Sequence, residues 1–185
     1  MGRLNEAAFS SDRIHSGNFM TRVRILLWLG FISCFVLLLV AAYFQFVEEL
    51  EPCPLCISQR VIILVLGTIF LAAALHNPRR LGIRIYSVFI TVFALLGAGV
   101  SSRHVWLQNL PADEVPECSP GLAYVFDNFP LAETLKLMLN GTGECADISW
   151  VFLGLTIPGW TLVAFLLLGL VGVLQFKTST GEGGS

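Results

Sequence analysis

The stretch ILLWLGFISCFVLLLVAAYFQFV, residues 25–47, contains no charged side chain. Wound as an α-helix at about 1.5 Å per residue, a run of this length crosses the ~30 Å hydrocarbon core of a bilayer. It is too long for the apolar core of a signal peptide and no small-residue cleavage site follows it, so it is expected to stay as an anchor. Three further apolar runs follow. One covers 57–75, with Arg60 near its start. The next covers 83–100 and is entered past Arg84. The last covers 153–176, its apolar character opening at Val151 and Pro158 falling in its first turns. Of the 185 residues, 55% are hydrophobic and only 13% charged. A soluble domain of this size has too little interior to bury so much apolar side chain. The expected fold is therefore all-α: one domain, 23–176, forming a four-transmembrane-helix bundle in the lipid bilayer. Residues 1–22 and 177–185 read as poorly ordered polar ends, and no nucleic-acid partner is expected.

Orientation follows from where the positive charges lie. Arg13, Arg22 and Arg24 precede the first span, Arg79, Arg80 and Arg84 crowd the turn between the second and third, and Lys177 follows the fourth. The opposite side holds a short loop, about 48–56, without Lys or Arg, and a long loop, about 104–150, in which Lys136 is the lone lysine. Both termini are then expected in the cytoplasm. Trp28, Trp106, Trp150 and Trp160 fall near the predicted boundaries, where indoles settle at the interface.

Five cysteines are present. Cys34 lies inside the first span and reads as a small buried hydrophobe. The other four share the outer, oxidising face: Cys53 and Cys56 in the short loop, Cys118 and Cys145 in the long one. Cys53-Pro-Leu-Cys56 is a C-x-x-C motif at the mouth of a helix, whose N-terminal partial charge favours thiolate over thiol. Arg60, one turn past Cys56, is either a partner of that thiolate or a snorkelling anchor for the helix. The pair Cys118 and Cys145, alone, would suit a structural disulfide bracing a loop. Beside a C-x-x-C it also allows a relay, in which two dithiols exchange through a mixed disulfide. Structural zinc usually takes two close pairs, which this spacing lacks, so no metal is expected. Within the long loop, residues 130–139 can form a short helix with Leu131, Leu135 and Met138 on one face, lying along the membrane surface.

Cys53-Pro-Leu-Cys-Ile-Ser-Gln-Arg60 resembles the C-x-L-C-x-x-[EQ]-R signature of the bacterial disulfide bond formation protein B (DsbB) family. The segment from Cys145 through Trp150, Phe152-Leu-Gly-Leu155 and Pro158 to Trp160 is similar to that family's entry into its last span. The resemblance covers about 25–177. It implies an enzyme of the bacterial inner membrane, a thiol:quinone oxidoreductase that reoxidises a periplasmic DsbA-type thioredoxin-fold oxidase. By that resemblance Cys118 forms the mixed disulfide with the partner, and Cys145 passes reducing equivalents to Cys53. Cys56 then meets the quinone, ubiquinone or menaquinone, drawn from the membrane pool, with Arg60 stabilising the anion. His104 resembles a family histidine near the quinone; read from its position alone, it is equally an idle interfacial residue.

Overall fold

A computed structural model describes residues 2–76, 78–111, 113–116, 130–148 and 150–181. The chain is helical along most of that length. Helix α1 covers Gly2–Phe46, α2 Pro54–His76, α3 Arg80–Gln108, α4 Leu131–Asn140 and α5 Ile157–Gly181. A two-residue-per-strand hairpin, β1 (Val151–Phe152) with β2 (Leu155–Thr156), precedes α5. Four helical segments are long and apolar enough to cross a membrane: Thr21–Phe46, Pro54–His76, Arg80–Gln108 and Ile157–Thr180. This is a multi-pass, all-α membrane protein.

Helices α3 and α5 pack along each other most extensively, and α2 lies against both α1 and α3. Phe70, Leu66 and Ile63 of α2 pack with Cys34 of α1, Ile90 and Ala94 of α3 and Phe165 of α5 in one buried cluster. Two glycines make the close approaches possible. A methyl group at Gly30 would strike the Phe70 ring, and one at Gly97 would strike Phe165. Small residues at such crossings are how membrane helices gain van der Waals contact when water no longer drives them together. The outer faces carry exposed Leu39, Leu64, Leu95 and Leu167, one on each spanning helix. Such a surface would aggregate in water and is at home in lipid.

The helices differ from the apolar runs at their ends. Helix α2 opens at Pro54, earlier than 57, because proline suits the first helical position and Cys53 supplies the preceding carbonyl, bonded by Ile57 N–H at 3.1 Å. Helix α3 runs on to Gln108, well past 100, so His104 lies within a helix and not at the start of a loop. Helical hydrogen bonding satisfies the backbone whether or not the side chains stay apolar. At the chain ends, α1 already starts at Gly2 and α5 continues to Gly181, where unstructured segments were expected. The apolar stretch from Val151 forms the hairpin before the helix begins. Leu153 and Gly154 turn it with positive φ angles of 52° and 80°, as a two-residue turn of this hand requires. Thr156 donates to Gln108 Oε1 at 2.7 Å and so ties the hairpin to α3.

Helix α4 lies over the mouth of α2. Ser58 donates to Met138 O at 3.4 Å, and Arg103 Nε of α3 donates to Asn140 O at 3.3 Å. At the end of α4, Gly141 adopts φ +79°, and a side chain there would strike Leu107 and Leu55. That tight turn carries the chain down into the bundle, towards Cys145.

Candidate active site

Cys53 caps α2, Cys56 sits in its first turn, and Arg60 follows one turn later. Cys145 closes a 3-10 turn, Gly143–Cys145, held by its own N–H bonded to Thr142 O at 2.9 Å. The turn buries Cys145 completely beneath Leu55 and Leu107. The sulfurs of Cys53 and Cys145 and a ring nitrogen of His104 lie within 4.8 Å of one another. Cysteines from the two loops thus meet, although the sequence groups each with a neighbour in its own loop. Cys118 lies outside the described residues.

Burial and mutual bonding govern these thiols. At Cys53 the hydrogen bond with Cys145 pulls the pKa down, but the bond with Cys56 and burial outweigh it, and the thiol is pushed up to about 12. The hydrogen bond with Cys53, then burial, push Cys145 up as well. In the dithiol state both therefore keep their protons at neutral pH. Exchange must begin by relieving that state, through departure of one sulfur into a disulfide.

On the membrane side of Cys56 lies a cavity of about 320 Å³. Its wall includes Phe44, Cys56, Gln59, Arg60, Trp150 and Trp160. The Trp150 and Phe152 rings stack at 5.7 Å and 15°, and Phe44 meets Trp150 at 5.3 Å. The volume and the mixture of aromatic walls with few polar groups suit a flat organic ring. Arg60 reaches across to α1. Its Nη1 donates to Gln45 Oε1 and its Nη2 to Ala41 O, the latter at 3.0 Å. Arg60 is thus both an anchor between two helices and a charged group on the cavity wall.

The family model for "Disulfide bond formation protein DsbB" matches residues 23–175. Several curated proteins named "Disulfide bond formation protein B" are similar to the chain. That of Nitrosococcus oceani is 57% identical over 162 residues, which is 88% of this chain and 96% of the relative. That of Methylococcus capsulatus is 58% identical over 148 residues, 80% and 90% of the two chains. That of Saccharophagus degradans is 55% identical over 145 residues, 78% and 87%. The chain belongs to the DsbB family.

In this DsbB-family chain a buried polar chain runs behind the thiols. Thr161 of α5 donates to Gln59 Oε1 at 2.8 Å, and Gln59 Nε2 donates to His104 Nδ1 at 3.2 Å. An amide nitrogen can only donate, so Nδ1 accepts and the proton of the neutral ring sits on Nε2. That nitrogen faces Cys53 Sγ at 3.7 Å. His104 therefore contacts the thiol side of the site; Gln59 and Thr161, not His104, line the cavity. The sequence marks Gln59 only as the [EQ] position of the C-x-L-C-x-x-[EQ]-R signature, with no role attached, and Thr161 not at all. Their signal was there: uncompensated polar side chains inside apolar spans are functional candidates.

Proposed function

We propose that this chain is a thiol:quinone oxidoreductase that reoxidises a periplasmic DsbA-type thioredoxin-fold partner. The observation that carries this reading is the placement of Cys145 against Cys53, with Cys56 on an aromatic-lined cavity within the membrane domain. A partner dithiol gives up two electrons and two protons to become a disulfide. Cys118 takes the mixed disulfide with the partner, and Cys145 leaves as the reduced sulfur. Cys145 then exchanges with the Cys53–Cys56 disulfide at Cys53, releasing Cys56 as the thiolate. The partner's second thiol closes the partner disulfide and frees Cys118, Cys118 takes Cys145 back from Cys53, and the Cys53–Cys56 dithiol left behind re-forms its disulfide as two electrons and two protons pass to the acceptor.

A quinone supplies the acceptor for those electrons when bound. Cys56 and the Trp150 and Trp160 indoles on the cavity wall would hold its ring, and Arg60 would favour negative charge beside Cys56. The lining suits such a ring: its walls are mostly apolar and aromatic, and its polar groups are Cys56, Arg60, Gln59, Thr161 and Glu51. His104 holds its Nε2–H towards Cys53 and so favours the charge that sulfur carries during exchange.

The arginine pattern supports both termini in the cytoplasm and the thiols in the periplasm, across the bacterial inner membrane. Residues 23–176 form the membrane domain in this reading. The deciding experiment is oxidation of a reduced DsbA-type partner by purified protein, with and without added ubiquinone or menaquinone. Turnover that needs both the partner and a quinone is expected. Partner oxidation at the same rate without any quinone would overturn the reading.

A further inference from the structure

We infer that the fully reduced chain holds a thiophilic d10 cation of the zinc class on Cys53, Cys145 and His104. Three donors of the right kind already converge: two sulfurs and one imidazole nitrogen, all within 4.8 Å. The residues are 8%, 0% and 2% exposed, so the place is dry and closed. Zn–S of about 2.3 Å and Zn–N of about 2.0–2.1 Å at a tetrahedral angle give an S···N edge of about 3.6 Å. The Cys53 Sγ to His104 Nε2 distance is 3.7 Å. A cation therefore needs little rearrangement of that pair. The fourth position is left to a small exogenous ligand, as in other Cys2His sites.

Charge balance favours the same outcome. A dication displaces two thiol protons and leaves a neutral complex, which a dry site tolerates far better than free thiolates. The support around His104 is also suited to a ligand. A metal on Nε2 moves the ring proton to Nδ1, which then needs an acceptor. Gln59 supplies one by rotating its amide, so that Oε1 faces Nδ1 and Nε2 faces Thr161. Thr161 can turn its hydroxyl proton to Pro158 O, 2.9 Å away. The whole chain of bonds inverts with no helix moving. Metal and disulfide are mutually exclusive here, because both use the lone pairs of Cys53 and Cys145. Occupancy would halt the relay when its acceptor is exhausted and the thiols accumulate, and would end on reoxidation.

The test uses the full-length chain, reduced and stripped with a chelator, then titrated with Cd²⁺ and followed by thiolate-to-metal ultraviolet absorption. Zn²⁺ competition gives the affinity. One equivalent is expected in the wild type and none in the disulfide form. The double variant Cys56→Ser/Cys118→Ser, which keeps Cys53 and Cys145, should still take one equivalent. Adding Cys145→Ser should abolish that binding, and Gln59→Ala should weaken it roughly ten- to hundredfold. Circular dichroism of each variant establishes that the helices are intact. Loss of binding in the helical double variant, or binding that survives without Cys145, would overturn the assignment. The readout involves neither quinone nor partner, so it stands apart from the proposed oxidoreductase activity.

Discussion

Cys145 enters the bundle from the long loop and lies fully buried with its sulfur within 4.8 Å of that of Cys53, the residue that caps α2. No backbone ladder joins the two segments. The 3-10 turn, Gly141 with its positive φ, and the cover of Leu55 and Leu107 hold them together. An interloop disulfide should therefore form readily. In the Cys56→Ser/Cys118→Ser variant, mild oxidation is expected to link Cys53 to Cys145 in most molecules. Non-reducing peptide mapping by mass spectrometry reads it directly. Recovery of both as free thiols under conditions that oxidise the wild type would show that the two do not approach in solution.

The protonation of Cys53 gives a pH prediction. Its pKa stands at about 12 in the folded chain, against an ordinary value of 9.0. At pH 9 an ordinary thiol is half ionised, while Cys53 is ionised in about one molecule in a thousand. Iodoacetamide should therefore modify Cys53 in the reduced, folded chain some hundreds of times more slowly than in the denatured chain. Fragment-resolved mass spectrometry provides the measurement. The sign for stability follows from the same protons. The folded state holds one that the unfolded chain has released above pH 9, so this contribution is complete below about 9 and lost as pH rises through about 12.

Much of the architecture was legible because a bilayer makes strict demands. Four apolar runs became four spanning helices, since only intrasegment hydrogen bonding satisfies a backbone in lipid. Helix ends were less legible. Hydropathy stops near Val100, but nothing in Ser101, Arg103 or His104 breaks a helix, and α3 continues. Phe152-Leu-Gly-Leu155 was ambiguous for the opposite reason: apolar composition does not separate strand from helix over so few residues. The turn conformation of Leu153 and Gly154 decided it. Cys53, Cys56 and Arg60 stood out as a local motif. Exchange between Cys145 and Cys53 was implied by the family resemblance and by no local pattern, while the meeting of Gln59 with Thr161 joins residues far apart in the chain and neither source pointed to it.

The orientation can be tested at both ends of the bundle. Glu51, exposed beside the thiols, and Lys177, exposed near the end of α5, lie at opposite ends of the spans. On a background without the native cysteines, Glu51→Cys should react with a membrane-impermeant maleimide in intact spheroplasts. Lys177→Cys should react only after permeabilisation. The reverse pattern would place the thiols in the cytoplasm and remove the basis for a periplasmic partner.

The tautomer of His104 is set by two other residues, and that dependence is measurable. Long-range 1H–15N correlation of the imidazoles, with His104 assigned by its loss in His104→Gln, should show the Nε2–H form in the reduced wild type. Thr161→Val removes the donor that orients the Gln59 amide. Both amide orientations then become accessible, and the Nδ1–H form should appear alongside the first. An unchanged spectrum in Thr161→Val would mean that Gln59 is oriented by packing alone.

Arg60 carries two separable roles, and two substitutions distinguish them. Its bonds to Ala41 O and Gln45 Oε1 tie α2 to α1, while its charge lies on the cavity wall with Cys56. Gln45→Ala removes one anchoring bond and leaves the charge in place. A neutral partner of this kind contributes about 1 kcal/mol, so a small loss of thermal stability with little change in quinone kinetics is expected. Arg60→Gln removes the charge. A charge-assisted contact is worth on the order of 1.5–3 kcal/mol, so quinone reduction should slow by roughly ten- to hundredfold, with a higher apparent KM. Exchange with a partner dithiol, which the proposed relay places at its other end, should be unaffected. Arg60→Lys should recover only part of the rate, because an ammonium cannot span the two α1 acceptors with a planar fork. Stopped-flow quinone reduction across a quinone titration measures all three variants. Wild-type quinone kinetics in Arg60→Gln, with only stability lowered, would make Arg60 a helix anchor and remove it from the electron-accepting end of the site.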